Sequence, residues 1–398
     1  MKILMLTPYL PFPLLSGGQI RSYNLLQKLA AKHDITLVCL IKHESEKQYI
    51  KNIEKFCRKV IVSRRPEKPW TISNIVRTIT GKYPFLVVRN FSPEAKKAVI
   101  DELSHTKYDL IHAETFYVMP HIPHTLIPIL LVEQTIEYQV YQHYVETIKF
   151  IPLRWLFSLD VAKIKYWETY FWKQAQGIVA MSESDKNIML QTVADREVSI
   201  VPNGVDTTFF TFIKKKVSLL PKVLFVGNFK WLQNREAVDQ LVHKIWPAIA
   251  EKLPQTRLWI VGRYPTKEIL KFQSDRIQIS DTVEDIRLAY KNSDVLLAPI
   301  YGPGGTRYKI LEAMACGLPV ITTPQGIEGL GVTHGEEALV RSIPQELASG
   351  TIEVLTKPKL YRKLADAGNL FVRKHYNWQT IAASLDEIYE TVARNQSH

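Results

Sequence analysis

The segment with the clearest chemical potential is rich in glycine and reads PIYGPGGTRYKILEAMACGLPVITTP. Its pattern predicts a strand, a loop with Gly304, Gly305 and Thr306, and then a helix. Arg307 and Lys309 fall in the first turn of that helix. Backbone N–H groups at a helix start, together with two cations, suit the charge of a diphosphate. The segment therefore predicts a diphosphate site.

Glu312 lies one turn inside the same predicted helix. Its carboxylate could accept hydrogen bonds from ribose hydroxyls, which would make the site specific for a nucleotide. An ordinary helix glutamate fits the spacing equally well. The residues by themselves leave both interpretations open.

A second loop with paired glycines follows the first apolar run of the chain and reads PYLPFPLLSGGQIR. Gly17 and Gly18 precede a predicted helix, where glycine lets the backbone approach a ligand closely and free N–H groups attract phosphate or carboxylate. A plain turn is the alternative.

These loops must be positioned by elements that alternate short apolar runs with longer amphipathic stretches, which is the pattern of a parallel α/β sheet. The first series begins with KILMLTP and ends with VSIVPNG, and a second begins with KVLFVGN. Residues 205–221 follow neither period and are the predicted linker. Two doubly wound domains are therefore expected, with their ligand loops after the strands.

Composition is that of a soluble globular protein: 398 residues, 46% hydrophobic and 23% charged. Three cysteines without a CxxC pair predict neither a zinc site nor a disulfide framework, and favour a reducing, cytoplasmic location. No apolar run reaches the length of a spanning helix. The first strand and loop do not resemble a signal peptide.

The net charge of +12 is concentrated locally, since residues 51–100 hold 12 Lys and Arg against 3 Asp and Glu. This stretch could face anionic lipid or an anionic acceptor, or could simply be a solvated surface. No nucleic-acid motif is present.

Residues 151–174 are rich in Trp and Phe with interspersed Lys and Arg, as in a helix at a membrane interface. Burial of Trp167, Tyr170 and Phe171 in the core is the alternative.

Four blocks carry a resemblance to a known family. They read GGTRYKILEAMACGLPV, VPNGVD, KVLFVGNFKWLQN and PYLPFPLLSGGQIRSYNLLQ. Together they resemble the retaining GT-B glycosyltransferases of the glycosyltransferase group 1 family, in particular bacterial polysaccharide-assembly transferases. The match runs in order from residue 1 to about 390 and so covers nearly the whole chain.

The resemblance implies an α/β chain with two Rossmann-like domains facing each other across a cleft. The N-terminal domain, 1–207, would bind the acceptor, and the C-terminal domain, 208–378, the nucleotide-sugar donor. A helix within 379–398 would pack back on the N-terminal domain. No metal and no cofactor are implied, because cations and helix-start amides would meet the diphosphate charge. The expected acceptor is a hydroxyl of a glycan or lipid-linked glycan, with peripheral contact to the inner membrane face.

Two departures from the family pattern affect the donor site. The family usually has two glutamates separated by seven residues; the second corresponds to Glu312, but the first corresponds to Gly304. An Arg and a Lys usual after the strand before the donor pocket are replaced by Asn228 and Gln233. The candidates to supply the missing charge are Lys230, Arg235, Arg307 and Lys309.

The family pattern also suggests residues on the acceptor side. Members often carry His-x-His where this chain has His112 and Glu114, and the second position is expected near the donor sugar. A carboxylate there could stabilise oxocarbenium character or orient the acceptor hydroxyl; alternatively, His112 only bonds a neighbouring loop. Glu133 and Glu137, in VEQTIEYQVY, resemble an acceptor-binding motif or merely cap the following helix.

Because the first glutamate and the Arg/Lys pair are absent, an alternative function stays open. The chain could bind a nucleotide sugar with little transferase activity and act as a partner in a glycan-assembly complex. Product analysis separates the two hypotheses.

Overall fold

The computed structural model describes residues 1–302 and 308–394. These residues form two compact units. The N-terminal unit comprises 1–202 with 381–394, and the C-terminal unit comprises 203–302 with 308–380.

Seven parallel strands form the sheet of the N-terminal unit. They are β1 (Lys2–Thr7), β2 (Asp34–Ile41), β3 (Lys59–Arg64), β4 (Leu110–Glu114), β5 (Ile129–Val132), β6 (Gly177–Ala180) and β7 (Val198–Ile200). Their spatial order is β3-β2-β1-β4-β5-β6-β7. The strand order reverses between β1 and β4, and ligands bind beside such a reversal in doubly wound sheets.

Helices connect these strands. They are α1 (Gly17–Leu29), α2 (Ile50–Ile53), α3 (Ile72–Thr80), α4 (Phe85–Asn90), α5 (Pro93–His105), α6 (Glu137–Glu146), α7 (Ile151–Gln174) and α8 (Glu183–Leu190). Short 3₁₀ turns occupy Glu44–Tyr49 and Phe116–His121. The start of α5 follows from its sequence, because the Ser92 hydroxyl accepts a hydrogen bond from the Ala95 amide and proline occupies the first turn.

Six parallel strands form the sheet of the C-terminal unit. They are β8 (Lys222–Val226), β9 (Arg257–Val261), β10 (Ile277–Ser280), β11 (Val295–Ala298), β12 (Val320–Thr322) and β13 (Leu339–Val340), in the order β10-β9-β8-β11-β12-β13. The helices are α9 (Leu232–Gln240), α10 (Trp246–Lys252), α11 (Lys267–Leu270), α12 (Ile286–Lys291), α13 (Tyr308–Ala315), α14 (Pro344–Thr356) and α15 (Pro358–His375). A π-helical turn at Leu241–Ile245 joins α9 to α10, and Gln325–Ile327 is a 3₁₀ turn.

The central strands of both sheets are buried on both faces. Leu4, Ile111 and Leu131 in the first sheet, like Leu224 and Leu296 in the second, are fully buried. Strands covered on both faces consist of continuous apolar runs, which is why the sequence predicts them well. The prediction of two doubly wound parallel sheets is confirmed, whereas the two-residue strand β13 is too short to give a recognisable pattern.

The stretch predicted as a linker packs on the C-terminal unit. Val205 forms a bridge with Asn377, and Phe210 is buried in the core of that unit. The Lys215 ammonium donates to the backbone carbonyl of Tyr290 over 3.1 Å. The segment is thus an integral part of the C-terminal unit, held by partners distant in sequence that no local periodicity reveals.

Helix α7 has two different halves. Ile164, Glu168, Phe171 and Trp172 in the C-terminal half are buried. The first half is exposed, with Trp155 66% accessible. The predicted burial is thus confirmed for Phe171, partial for Trp167 and wrong for Tyr170, which is 39% exposed. Contact of the exposed half with a membrane stays a prediction. In the part of the chain described here, no helix combines the length and the apolar character required to cross a bilayer.

The last helix, α16 (Trp378–Arg394), contributes residues 381–394 to the N-terminal unit. Asp386 accepts hydrogen bonds from the Lys32 ammonium and from a ring nitrogen of His33, at 2.5 and 2.8 Å. Leu385 and Tyr389 are buried on the same helix. These contacts attach the end of the chain to α1 and the loop that follows it.

Candidate functional site

A buried polar cluster lies at the carboxyl ends of the central strands in the N-terminal unit. We call it the His112 cluster; its members are Tyr9, Arg21, His112, Glu114, Gln134 and Tyr389. Tyr9, Glu114 and Gln134 come from the ends of β1, β4 and β5, which lie side by side. Ligand loops of doubly wound sheets are found at this edge.

His112 is held by two partners. Its Nε2 lies 2.7 Å from Glu114 Oε2 and its Nδ1 lies 2.5 Å from the Tyr389 hydroxyl. An ionised carboxylate only accepts, so Nε2 carries the proton donated to Glu114, while Nδ1 and the Tyr389 hydroxyl share the second hydrogen bond. One partner of His112 is therefore Tyr389 of α16, and not a neighbouring loop as the sequence suggested.

Glu114 uses both carboxylate oxygens. Oε1 accepts a 2.7 Å hydrogen bond from Gln134 and lies 3.5 Å from Nε of Arg21. Burial by itself raises the pKa of Glu114, but His112 and then Arg21 outweigh it and hold this pKa below its ordinary value. Glu114 is therefore an ionised carboxylate inside the protein, held by hydrogen bonds and a buried guanidinium.

The backbone just after Glu114 is strained. Thr115 has φ of +73° and ψ of +149°, a region that β-branched residues rarely adopt. Such strain recurs at functional sites, where the surrounding structure stabilises it. Thr115 donates its amide proton to the Val132 carbonyl over 2.7 Å, which fixes the bend directly beyond β4.

Gly18 packs against the same cluster. A Cβ at this position would lie 2.4 Å from the Tyr9 hydroxyl and 2.7 Å from Oε1 of Gln134. The Gln134 amide donates 2.6 Å hydrogen bonds to Tyr9, so a side chain at position 18 would displace a partner of Glu114. Gly17 begins α1, after a Ser16 cap. Close approach thus requires glycine at position 18, although the contact is with the protein itself.

Glu133 lies away from the His112 cluster. It is 1% exposed and accepts hydrogen bonds from the Trp172 indole and the Phe116 amide, at 3.1 and 3.3 Å. Burial, followed by the charge of Glu168, raises its pKa well above the ordinary value. These contacts support the core below the strand end, and an acceptor-binding role for Glu133 stays a prediction.

Glu137 begins α6 and is half-buried. Its amide and that of Tyr138 donate to the buried Glu168 carboxylate, at 2.8 and 3.0 Å. Burial raises the pKa of Glu137 to about 7, while the charge of Arg89 opposes that rise. Glu168 is therefore the residue that caps α6, which leaves the Glu137 carboxylate for another role.

The C-terminal unit presents a second polar group at the carboxyl end of β8. The Asn228 carbonyl accepts a 2.9 Å hydrogen bond from the Asn234 amide, and Asn234 accepts a 2.6 Å hydrogen bond from the Lys309 ammonium. Lys309 also lies 4.6 Å from the centre of the Phe225 ring. Two of the predicted donor residues, Asn228 and Lys309, are thus brought together through Asn234.

Glu312 lies on α13 and is half-buried. Its Oε2 accepts a 2.6 Å hydrogen bond from the Tyr290 hydroxyl. Burial raises the pKa of Glu312 to about 7, although Tyr290 and Lys309 both act to lower it. Glu312 therefore differs from an ordinary surface glutamate. Its role as an acceptor for ribose hydroxyls stays a prediction.

The Lys230 amide donates to Oδ1 of Asn228 over 3.1 Å, whereas its exposed side chain turns to Tyr264, with the ammonium 3.7 Å from the ring centre. Four further candidates, Gly304, Gly305, Thr306 and Arg307, lie outside the described residues. Within the described residues, no three His, Cys, Asp or Glu side chains are grouped as metal ligands.

Sequence reasoning missed the partners of these groups. Arg21 and Tyr389 belong to helices with ordinary amphipathic patterns, and Tyr290 lies in a short helix without a motif. Gln134 had a weak signal, because it is the last residue of PILLVEQ, 128–134, whose apolar run predicts a strand. Nothing in the sequence pairs Tyr389 with His112, which is 277 positions away.

Two family models match the chain. Residues 220–357 match the model described as Glycosyl transferases group 1, and residues 15–209 match Glycosyltransferase Family 4. Together they include the polar group of the C-terminal unit and four members of the His112 cluster, whereas Tyr9 and Tyr389 lie outside the matched ranges.

Curated relatives agree with this assignment. The chain is 28% identical over 235 residues to phosphatidyl-myo-inositol mannosyltransferase of Mycobacterium tuberculosis (strain CDC 1551 / Oshkosh), a match that covers 54% of the chain. The aligned part spans 60% of that enzyme's length. An uncharacterized 44.6 kDa protein in the cps region of Klebsiella pneumoniae is 20% identical, with 96% of this chain and 98% of that protein covered.

Solved structures share the fold across nearly the whole chain. Sucrose-phosphate synthase from Thermosynechococcus elongatus superposes with a TM-score of 0.71 at 20% identity, covering 99% of this chain and 100% of that one. HepE from Anabaena, in complex with UDP-glucose, gives 0.64 at 16% identity, covering 98% and 100%. WaaG, a glycosyltransferase involved in lipopolysaccharide biosynthesis, gives 0.65 at 16% identity, covering 98% and 99%.

The superpositions establish the fold, and the family models, together with the curated relatives, establish the family. The two parallel-sheet α/β units are those of the GT-B glycosyltransferases. This chain therefore belongs to the group 1 glycosyltransferases.

Proposed function

We propose that this protein transfers a sugar from a nucleotide-diphosphate donor to a hydroxyl of a glycan or lipid-linked acceptor, with retention, in bacterial polysaccharide or glycoconjugate assembly. The C-terminal unit holds the donor and the N-terminal unit the acceptor, and no metal ion or cofactor takes part. The observation that carries the proposal is a pair of fixed polar side chains on α13: the Lys309 ammonium donates to Asn234 over 2.6 Å, and the half-buried Glu312 carboxylate accepts from the Tyr290 hydroxyl over 2.6 Å.

The donor is held by chemistry that suits a nucleoside diphosphate. Lys309 supplies a fixed cation, because Asn234 and the face of Phe225 orient its ammonium. Glu312 supplies an acceptor for vicinal ribose hydroxyls. HepE has been solved with UDP and with UDP-glucose, which supports a nucleotide-sugar donor for this chain. The Klebsiella relative and WaaG support a role in surface-polysaccharide assembly.

Isothermal titration calorimetry with UDP, GDP, ADP and TDP, with EDTA present, tests the donor assignment. We expect one diphosphate to bind, and its Kd to rise by about tenfold in Lys309→Ala, because a charge-assisted hydrogen bond contributes on the order of 1.5–3 kcal/mol. Lys244→Ala, which removes an exposed lysine of the same unit, is the control. Absence of binding by all four nucleotides would contradict the proposal. Binding without transfer to any acceptor would favour the alternative of a nucleotide-sugar-binding partner.

The proposed location is cytoplasmic, at the inner face of the membrane. Exposed apolar side chains of α3, of Trp70 just before it and of the first half of α7 support it. We call them the apolar face; they are Trp70, Ile72, Val76, Ile79, Ile151, Trp155 and Leu156. The Lys163 ammonium joins the two helices by donating to the Thr78 and Gly81 carbonyls, at 2.7 and 3.0 Å. Arg77 and Arg154 are exposed on these helices, as expected for contact with anionic lipid.

Vesicle sedimentation tests the membrane assignment. The double variant Ile72→Gln, Trp155→Gln should lose at least about tenfold in affinity for phosphatidylglycerol vesicles, because burying each large apolar side chain contributes roughly 1.5–3 kcal/mol. Both residues are exposed, at 82% and 66%, so folding should be unaffected. Leu219→Gln is the control, since Leu219 is 95% exposed in the C-terminal unit. Equal binding by wild type and double variant would exclude this face as the membrane contact.

A further inference from the structure

Two arginines of the N-terminal unit lie together near the carboxyl edge of its sheet. Arg65 directly follows β3, and Arg89 lies in α4. Nη1 of Arg65 donates a hydrogen bond to Oδ1 of Asn90, the neighbour of Arg89 in sequence. Nη2 of Arg89 donates to the Tyr141 hydroxyl over 3.1 Å. Each guanidinium is thus fixed at one end by a neutral partner.

Each guanidinium also has a buried N–H donor that makes no hydrogen bond to the described residues. In the described part of the chain, Nε of Arg65 and Nε of Arg89 are inaccessible and have no hydrogen-bond acceptor. No carboxylate comes within 4.0 Å of either guanidinium among the described residues, in contrast to Arg21, which faces Glu114. A half-buried charge without a counter-ion is unfavourable, so such a pair implies an anionic ligand.

The surroundings add further donors. Burial lowers the pKa of Arg65. The charge of Arg89 lowers this pKa further, as expected for two cations near each other, whereas Tyr117 acts to raise it. Burial, opposed by Arg89, raises the pKa of Tyr141 to about 12, so its hydroxyl stays protonated. Glu137 and Asp160 act on Arg89, and Glu46 acts on Arg65, but in the described part of the chain none of the three lies within ion-pair distance of its arginine. Burial raises the pKa of Glu137 to about 7 and raises that of Asp160 above its ordinary value. The two guanidinium groups therefore have acids around them but no direct ion pair among the described residues.

We propose that Arg65 and Arg89 bind a phosphate group of the acceptor. The proposal rests on the proposed function, because it specifies the acceptor of that transfer. Two guanidinium groups with a phenol fit a phosphate, which carries up to two charges and several acceptor oxygens, better than a carboxylate, which one arginine can satisfy. The phosphate belongs either to a lipid headgroup or to a soluble phosphorylated glycan.

Calorimetric titration with inorganic phosphate and with dodecyl phosphate tests the site, with neutral dodecyl maltoside as the blank. Arg65→Ala and Arg89→Ala should each raise the Kd for both phosphates by about tenfold or more. Arg64→Ala is the matched control, because it removes the adjacent, exposed arginine. Tighter binding of dodecyl phosphate than of inorganic phosphate supports a lipid-borne group, and equal binding supports a soluble one.

Further measurements keep the two proposals separate. The affinity for the preferred nucleoside diphosphate should be unchanged in Arg65→Ala and Arg89→Ala, whereas it depends on Lys309. Should an alanine variant fold poorly, Arg65→Lys and Arg89→Lys keep the charge but lose the planar donors and should still weaken phosphate binding. Wild-type phosphate affinity in folded Arg65 and Arg89 variants would overturn the inference. Failure of every nucleotide to bind the wild type would instead overturn the proposed function.

Discussion

Replacement of Glu114 by alanine is expected to destabilise the N-terminal unit by about 3–5 kcal/mol, because it leaves the buried guanidinium of Arg21 without its counter-ion. The same change removes the acceptor that orients His112 at 2.7 Å. The rate of sugar transfer should fall by at least about a hundredfold, the magnitude typical of a positioned acid–base group. Hydrogen exchange of N-terminal peptides measures the first effect, and initial-rate kinetics measures the second.

Glu114→Gln separates charge from shape. It keeps the volume and one acceptor oxygen, so we expect an intermediate loss of stability. The folded state lowers the pKa of Glu114 below its ordinary value of 4.5. Its ionised form therefore stabilises the unit above pH 4.5, and this contribution is lost as the pH falls through the lower folded pKa. Glu114→Gln should lack this part of the acid destabilisation.

The control for Glu114 is Glu44→Ala, which removes an exposed carboxylate paired with Lys47. This variant should change neither the stability of the N-terminal unit nor the rate of sugar transfer. If Glu114→Ala retained wild-type stability and activity, the His112 cluster would have no structural or catalytic importance. If stability fell but the rate per folded molecule did not, the cluster would support the fold only.

The second large effect is expected at Glu312. Glu312→Ala should raise the Kd for the nucleoside diphosphate by about 10- to 100-fold, since hydrogen bonds to a charged group contribute roughly 1.5–3 kcal/mol. The ionised carboxylate accepts from hydroxyls and its pKa is about 7, so wild-type affinity should rise between about pH 6 and pH 8. Calorimetry across this range measures the slope, which should be absent in Glu312→Gln.

Tyr290→Phe provides an independent readout. The Tyr290 hydroxyl donates to Glu312 over 2.6 Å and favours its ionised form. Removing it should raise the pKa of Glu312 and move the midpoint of the affinity profile to higher pH. Glu251→Ala, an exposed glutamate of α10, should leave the profile unchanged. An unaltered pH profile in Glu312→Gln would show that another group titrates.

The contribution of Glu312 to the free energy of unfolding should depend on pH in the opposite direction to that of Glu114. Because folding raises the pKa of Glu312 from 4.5 to about 7, the protonated form stabilises the protein below pH 4.5 and this contribution is lost as the pH rises through 7. Glu312→Gln should therefore unfold at a higher temperature than wild type at pH 8, an advantage that disappears at pH 4. Such a gain on removing a functional acid is expected when a site is strained for binding.

The fold and the family could be predicted from the sequence because both depend on local patterns. Buried parallel strands such as β1, β4 and β8 are continuous apolar runs, and their spacing by helical stretches predicts two doubly wound sheets. The segment around Lys309 and Glu312, which we propose binds the donor, is contiguous, so its motif is visible in the sequence. Gly18 was also recognisable, since only glycine allows its close approach to Tyr9.

Partnerships between distant side chains could not be predicted. Glu133 and Glu114 both follow strand ends and look alike in sequence, yet one is fixed by Trp172 and the other by Arg21. Lys163 of α7 donates to two carbonyls at the end of α3 that lie 82 and 85 positions away in sequence, and this contact joins the two helices of the apolar face.

The sequence by itself determined which elements form and which loops follow the strands, because hydrophobic periodicity and turn chemistry act over a few residues. Only the tertiary structure decided that Tyr389 completes the contacts of His112, and that Arg65 and Arg89 share a half-buried position with no ion pair to any residue that the structure describes. Hydrogen bonds and charge interactions depend on distances of a few ångströms in space, and chain folding sets those distances independently of separation in sequence.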